Sequence, residues 1–194
     1  MLRIIRVLLL VLTSVLTTGA ALAATRVYQL DGMGSRVGFS TESGAGRVTG
    51  NIPVTEARLR LDFGNVSNSS ISVMLDASAA TANTPFAAEA MRGPTMLDTA
   101  HHPTMVFRST RISSSGNVVK VVGDLTIRGV SRPVTLQGSI ARMNKSDAND
   151  LDRLQVRLSG AIRRSAYGAT GWSDAVSDVV RLVIVAQISR VEGN

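Results

Sequence analysis

Residues 123–140 read GDLTIRGVSRPVTLQGSI. Leu125 and Ile127 alternate with Asp124, Thr126 and Arg128; further on, Val134, Leu136, Gly138 and Ile140 alternate with Thr135, Gln137 and Ser139. Between the two runs lies Arg128-Gly129-Val130-Ser131-Arg132-Pro133. A period of two on both sides of a turn containing Gly and Pro predicts an antiparallel hairpin with one apolar face. That face meets either a packed core or a carried molecule, and the difference decides what the protein does.

The same alternation recurs on both sides of the hairpin. Arg36 to Ser40 is a short strand ending in the Gly-rich bend Ser43-Gly44-Ala45-Gly46. Arg47 to Ile52 and Glu56 to Phe63 follow, split by Pro53, and then Ile71 to Leu75. Beyond these come Met105 to Arg108, Val118 to Ile127, Val134 to Met143, Leu154 to Ile162 and Val180 to Ile188. Asn144 to Asp152 reads as a long polar, charged loop. One segment departs from the rhythm: Pro85 to Arg92 is Ala-rich, opens with Pro after Thr84 and stops at Gly93-Pro94, which are helix start and stop signals. About eight strands at even spacing with one short helix predict an antiparallel barrel or sandwich. Gly38, Gly50, Gly123, Gly138 and Gly160 fall inside strands and read chiefly as bends that help close the sheet.

The beginning of the chain reads differently. Arg3 and Arg6 precede an almost wholly apolar run from Val7 to Leu16, and Ala21-Leu22-Ala23 follows. These are the basic, apolar and small-residue regions of a secretory signal peptide, expected to be cleaved near Ala23. The apolar run is shorter than the ~20 residues a spanning helix needs. The expected division is therefore a leader over residues 1–23 and one barrel domain over residues 24–194, exported to the periplasm.

The chain of 194 residues contains no cysteine, which excludes disulfides, thiol catalysis and thiolate metal sites. Its formal net charge is +7, and only Lys120 and Lys145 among the basic residues are lysines. The arginines are scattered singly along strands, and seven aromatics (four Phe, two Tyr, one Trp) offer little for base stacking. This pattern reads as a solvated basic outer face rather than a nucleic-acid surface. His101 and His102 are adjacent, so on an extended backbone they point to opposite faces and do not share a metal. No serine stands in Gly-x-Ser-x-Gly, and Ser43 to Gly46 lacks the Lys-Ser/Thr of a phosphate loop. No catalytic constellation, metal site or cofactor is expected.

The opening stretch, Gly123 to Leu136, resembles the signature hairpin of the YceI-like family of bacterial periplasmic proteins. The resemblance continues in order along the chain. Tyr28-Gln29-Leu30-Asp31 and Ser35 to Ser40 match the family's first strand pair; Asp98 with Pro103 to Thr110 matches its Asp…Pro-Thr-x-x-Phe-x-Ser strand. Arg164-Ser165-Ala166-Tyr167-Gly168 matches its Arg-Ser-x-Phe/Tyr-Gly segment, and Ser177 to Ile184 its last strand. The resemblance implies an all-β, extended lipocalin-like barrel of eight antiparallel strands with a short helix near one mouth. It also implies the binding of a long apolar chain, such as a polyisoprenoid, a quinone-like molecule or a fatty amphiphile, and it allows a homodimer. The chain departs from the family pattern at Gly34, Glu42-Ser43, Phe86 to Met91 and Met96-Leu97, where the family carries His, Lys-His, Arg-Asp-x-His-Leu and Phe-Phe. Polar groups that could hold a ligand head near the mouth are thus mostly absent, while the tunnel-lining pattern remains.

These readings together predict a non-enzymatic lipid carrier with no stable membrane insertion. Its tunnel is expected to be lined by Phe39, Leu59, Leu61, Val73, Leu75, Met105, Phe107, Leu125, Ile127, Val134 and Leu136, with Phe86, Met91 and Met96 at the mouth. Ordinary core packing is the competing role for each of them. Two rival functions stay open: a partner-docking module with a solid interior, and an enzyme acting on a lipid through Glu42, Glu89, Asp98, His101 or His102.

Overall fold

Each alternating run becomes a strand in the computed structural model, which describes residues 25–44, 46–143 and 150–191. The expected leader at residues 1–23 and most of the polar loop at 144–152 lie outside the described residues. The strands are β1 (Arg26–Ser43), β2 (Gly46–Ile52), β3 (Val54–Leu61), β4 (Ser70–Asp76) and β5 (Thr81–Ala82). After helix α1 (Pro85–Arg92) come β6 (Thr104–Ser115), β7 (Val118–Ile127), β8 (Val130–Arg142), β9 (Arg153–Arg163) and β10 (Val179–Arg190). Hydrogen bonding runs β10-β9-β8-β7-β6-β4-β3-β1, and β1 pairs back onto β10. The sheet therefore closes into an eight-stranded antiparallel barrel rather than a sandwich, and closure removes every edge of that ring. β2 carries on from β3 across Pro53, and β5 pairs with β2, which extends the wall at one end.

Two local expectations need correcting. The stretch Arg36 to Ser40 is not a short strand but part of β1, eighteen residues long, which pairs with β10, β3 and β2. Its register with β10 shifts between Asp31 and Arg36. Gly32, Met33 and Gly34 fall there, and Met33 is fully exposed. A bulge of this kind interrupts the period of two while the ladder continues past it, so the pattern reads as a strand end.

The turn of the hairpin is also tighter than the sequence suggests. Ile127 pairs with Val130, leaving only Arg128 and Gly129 in the loop, at φ 52° and 73°. Two left-handed residues give the backbone twist that a two-residue hairpin loop needs. Pro133 belongs to β8, opposite Asp124. β9 joins β8 only from Gln137 onward, so Pro133 stands where the strand has a single partner and its missing N–H is tolerated.

Helix α1 begins and ends where the sequence places it. The Thr84 hydroxyl accepts a hydrogen bond from the Ala87 N–H at 3.1 Å, Pro85 occupies the first helical position, and Gly93 follows the last. The helix sits between β5 and β6, at the barrel end where β1 turns into β2, β7 into β8 and β9 leads on to β10. At the opposite end Tyr28, Leu59, Leu61, Leu154 and Ile188 form a buried cluster. There the Tyr28 hydroxyl donates to the Leu151 carbonyl at 2.8 Å, and its ring meets Phe63 edge-on at 6.0 Å.

Candidate functional site: an apolar tunnel through the barrel

The apolar face of the opening hairpin lines a cavity. Val121, Leu125 and Ile127 of β7 and Val134 and Leu136 of β8 are buried from outside yet border an internal space of about 980 Å³. The cavity reaches from Phe86 and Trp172 at the helix end to Asn117, Arg142 and Leu151 at the other. Barrels of eight strands have an interior that side chains fill or that holds one slim ligand. Here the inward positions are mostly Val, Leu and Ile, with Ala57, Ala186 and two phenylalanines, Phe39 and Phe107, among the strands.

All fourteen residues expected along the tunnel border this cavity. Phe39, Leu59, Leu61, Leu75, Met105, Phe107, Leu125, Ile127, Val134 and Leu136 are buried, and Val73 is partly so. At the mouth Met91 and Met96 are half-buried and Phe86 is 68% exposed. Phe86 makes an edge-to-face contact with Trp172, centroids 5.8 Å apart, and Trp172 is itself 51% exposed. The described non-glycine residues with positive φ are Asp98, Arg128 and Trp172, all at this end.

Five acidic and histidine side chains could have made the mouth catalytic. Glu42 pairs with Arg47 at 2.9 Å and Asp98 with His101 Nδ1 at 2.9 Å. The hydrogen bond from His101 lowers the Asp98 pKa below its usual value. Glu42, Glu89, Asp98, His101 and His102 do not border the cavity, and the described residues contain no cluster of three or more potential metal ligands.

Sequence reasoning missed two buried charges on the cavity wall. Asp62 follows β3 at the end away from the helix and is 2% exposed. Its carboxylate accepts from the Asn65 N–H at 2.8 Å, the Gly64 N–H at 2.9 Å and the Asn68 side-chain amide at 3.2 Å. These donors, the Asn65 N–H foremost, hold its pKa below the ordinary aspartate value. Arg164, 7% exposed, lies at the helix end in the 3-10 turn Arg164–Tyr167 after β9. Its guanidinium donates to the carbonyls of Ala169, Gly171, Val176 and Ser177, holding the 169–177 loop that carries Trp172. A signal for Arg164 was present: Leu154, Val156, Leu158 and Ile162 mark the inward phase of β9, and residue 164 continues it.

A family model of the YceI-like domain matches residues 28–188. Protein YceI of Salmonella arizonae is 26% identical over 169 residues, covering 87% of this chain and 88% of that protein. A UPF0312 protein of Yersinia pestis is 25% identical, also over 169 residues and with the same coverage. Among solved structures, BcnA of Burkholderia cenocepacia matches with a TM-score of 0.73 at 20% identity, over 83% of this chain and 99% of that one. A polyisoprenoid binding domain from Saccharophagus degradans, implicated in plant cell wall breakdown, matches with a TM-score of 0.63 at 13% identity, over 86% and 99%. At such identities the structural likeness establishes the shared fold alone. The family match runs from the first strand of the barrel into the last, and the chain belongs to the YceI-like domain family.

Proposed function

We propose that the protein is a periplasmic carrier that sequesters one long-chain lipid, of isoprenoid or fatty type, inside its barrel. The observation that carries this reading is the apolar cavity of about 980 Å³ running between the two ends of the barrel. A slot of that shape favours a flexible chain over a compact, polar-decorated molecule. Each methylene taken from water contributes roughly 0.8 kcal/mol, so a long chain binds tightly through its tail. The polyisoprenoid binding described for the structurally similar Saccharophagus degradans domain supports the same ligand class. A docking module would need a filled interior, and an enzyme would need polar groups converging on the tunnel; the cavity favours neither. The leader read in residues 1–23 supports export, and no described helix is long and apolar enough to cross a membrane.

The test is native mass spectrometry of protein purified from the periplasm, followed by solvent extraction of whatever is bound. A stoichiometric excess mass that extracts as a long-chain lipid is the expected result. Protein that is purified empty and stays empty after incubation with isoprenoids, quinones and fatty acids would remove the carrier reading.

A further inference from the structure

We infer that Arg164 is the head-group site of the tunnel and that the molecule held is an anionic amphiphile, a long apolar chain ending in a carboxylate or phosphate. The inference rests on the lipid-carrier reading and goes further by giving the ligand a charge and a direction.

Arg164 borders the cavity beside Met96, Tyr167 and Trp172 while only 7% exposed. Every acceptor it has is neutral. Nε donates to the Ser177 carbonyl at 3.1 Å, and Nη1 to those of Ala169 at 2.6 Å and Gly171 at 2.7 Å. Nη1 also lies 3.6 Å from the Met96 sulfur, and Nη2 donates to the Val176 carbonyl at 2.9 Å. A guanidinium carries five N–H groups, two of them on Nη2. The second Nη2 N–H therefore has no protein acceptor among the described residues.

No described carboxylate forms an ion pair with this guanidinium. The neighbouring candidate, Asp178, is taken by the Ser165 N–H at 2.8 Å, the Ser165 hydroxyl at 2.9 Å and Arg163 at 3.5 Å. Carbonyl dipoles solvate a buried cation but leave its net charge uncompensated, and a buried charge without a counter-charge is unfavourable. An anionic oxygen arriving through the mouth would supply both the missing charge and the missing acceptor.

The other charges along the wall reinforce the direction. Arg36, Arg47 and Arg142 border the cavity but are solvent-exposed, and Arg47 is already paired with Glu42. Among the described residues the one other buried charge is Asp62, at the far end. The tunnel thus has a positive buried end beside the helix and a negative one opposite. An anionic head is attracted to the first and repelled from the second, so the tail runs from Arg164 toward Asp62.

The experiment measures binding of four molecules that share one saturated chain to delipidated protein: the fatty acid, the alkyl phosphate, the primary alcohol and the methyl ester. The acid, the phosphate or both should bind about tenfold or more tightly than the alcohol and ester, the size expected for one charge-assisted contact. Which of the two anions binds better identifies the head chemistry. Arg164→Gln should erase the preference, so that in the variant the acid and the phosphate bind no more tightly than the alcohol and the ester. Equal binding of all four by the unsubstituted protein would overturn the inference while the carrier reading stands. Binding of none would remove both. An Arg164→Gln protein that loses affinity for all four alike, with the ranking kept, would reduce Arg164 to a clamp on the 169–177 loop. If that variant does not fold, the ranking in the unsubstituted protein still decides the matter.

Discussion

The Phe39 ring occupies the space in which a side chain on Gly50, its cross-strand partner, would stand. A Cβ built on Gly50 comes within 2.5 Å of Phe39 Cζ and collides with the Thr81 carbonyl. Phe107, diagonal to Gly123 on the neighbouring strand, likewise takes the space of its missing side chain: a Cβ there would lie 2.6 Å from two ring carbons. Each glycine makes room for an aromatic ring against the barrel wall, so the ring borders the tunnel instead of filling it.

Gly50→Ala and Gly123→Ala are therefore expected to destabilise the fold by about 1–3 kcal/mol each, the usual range for overpacking a tight site. Gly32, with nothing within 4 Å of a built Cβ, is the control, and Gly32→Ala should stay within about 0.5 kcal/mol. Urea midpoints with unchanged slopes would measure all three.

Enlarging a small wall residue should have the opposite balance of effects. Ala186 of β10 stands opposite Val156 of β9, and both border the cavity. Ala186 packs on the Tyr28 cluster and also borders the cavity, so if Ala186→Phe places its ring in the cavity, stability should change by less than about 1 kcal/mol while affinity for a long-chain ligand falls about tenfold or more. A loss of stability comparable to that of Gly50→Ala would show that the tunnel is closed at this depth in solution. Titration calorimetry and urea unfolding of the same sample distinguish the outcomes.

The single tryptophan offers a direct readout of loading. Trp172 is half-exposed, borders the cavity and touches Phe86 edge-on. A ligand passing the mouth should shift its emission to the blue as water leaves the indole. Phe86→Ala removes a contact worth about 0.5–1.5 kcal/mol and should speed exchange severalfold, with a smaller effect on equilibrium affinity. Stopped-flow fluorescence measures both quantities.

Stability should fall in acid for an identifiable reason. Asp62, Asp76, Asp98 and Asp178 all have folded-state pKa values lowered from 3.8 by hydrogen bonds to the carboxylate. A lowered folded pKa means that the native state holds fewer protons than the unfolded chain in that range. The stabilisation is whole above the unfolded value near 3.8 and is lost as pH falls through the folded values. Urea midpoints should therefore change little from these groups above about pH 5 and drop below about pH 4. Asp62→Asn should be less stable near neutrality and show a shallower acid decline.

The strands and their inward phase were legible because alternation is a local property. Leu125, Ile127, Val134 and Leu136 show their shared face within eighteen residues, and the cap, start and stop of α1 lie within ten. The length of β1 was hidden because the Asp31–Arg36 irregularity looks like a strand end when only one chain segment is in view. The two-residue turn was read as six because Pro133 is a breaker in most strands, and its single-sided pairing is visible only once β9 is placed. Arg164 was passed over for a related reason: an arginine at a strand end is ordinarily solvated, and its burial depends on carbonyls five to thirteen residues later that fold back over it.

By itself, then, the sequence determined which strand residues face inward, that the sheet is antiparallel, and that no cysteine takes part, since each follows from residue type and spacing. Tertiary structure alone decided that β1 meets β10, that the interior keeps about 980 Å³ open, and that the buried Arg164 and the buried Asp62 stand at opposite ends. Those are properties of closure. Whether facing side chains touch across a barrel, and whether a charge finds a counter-charge, depends on distances between segments far apart in the chain.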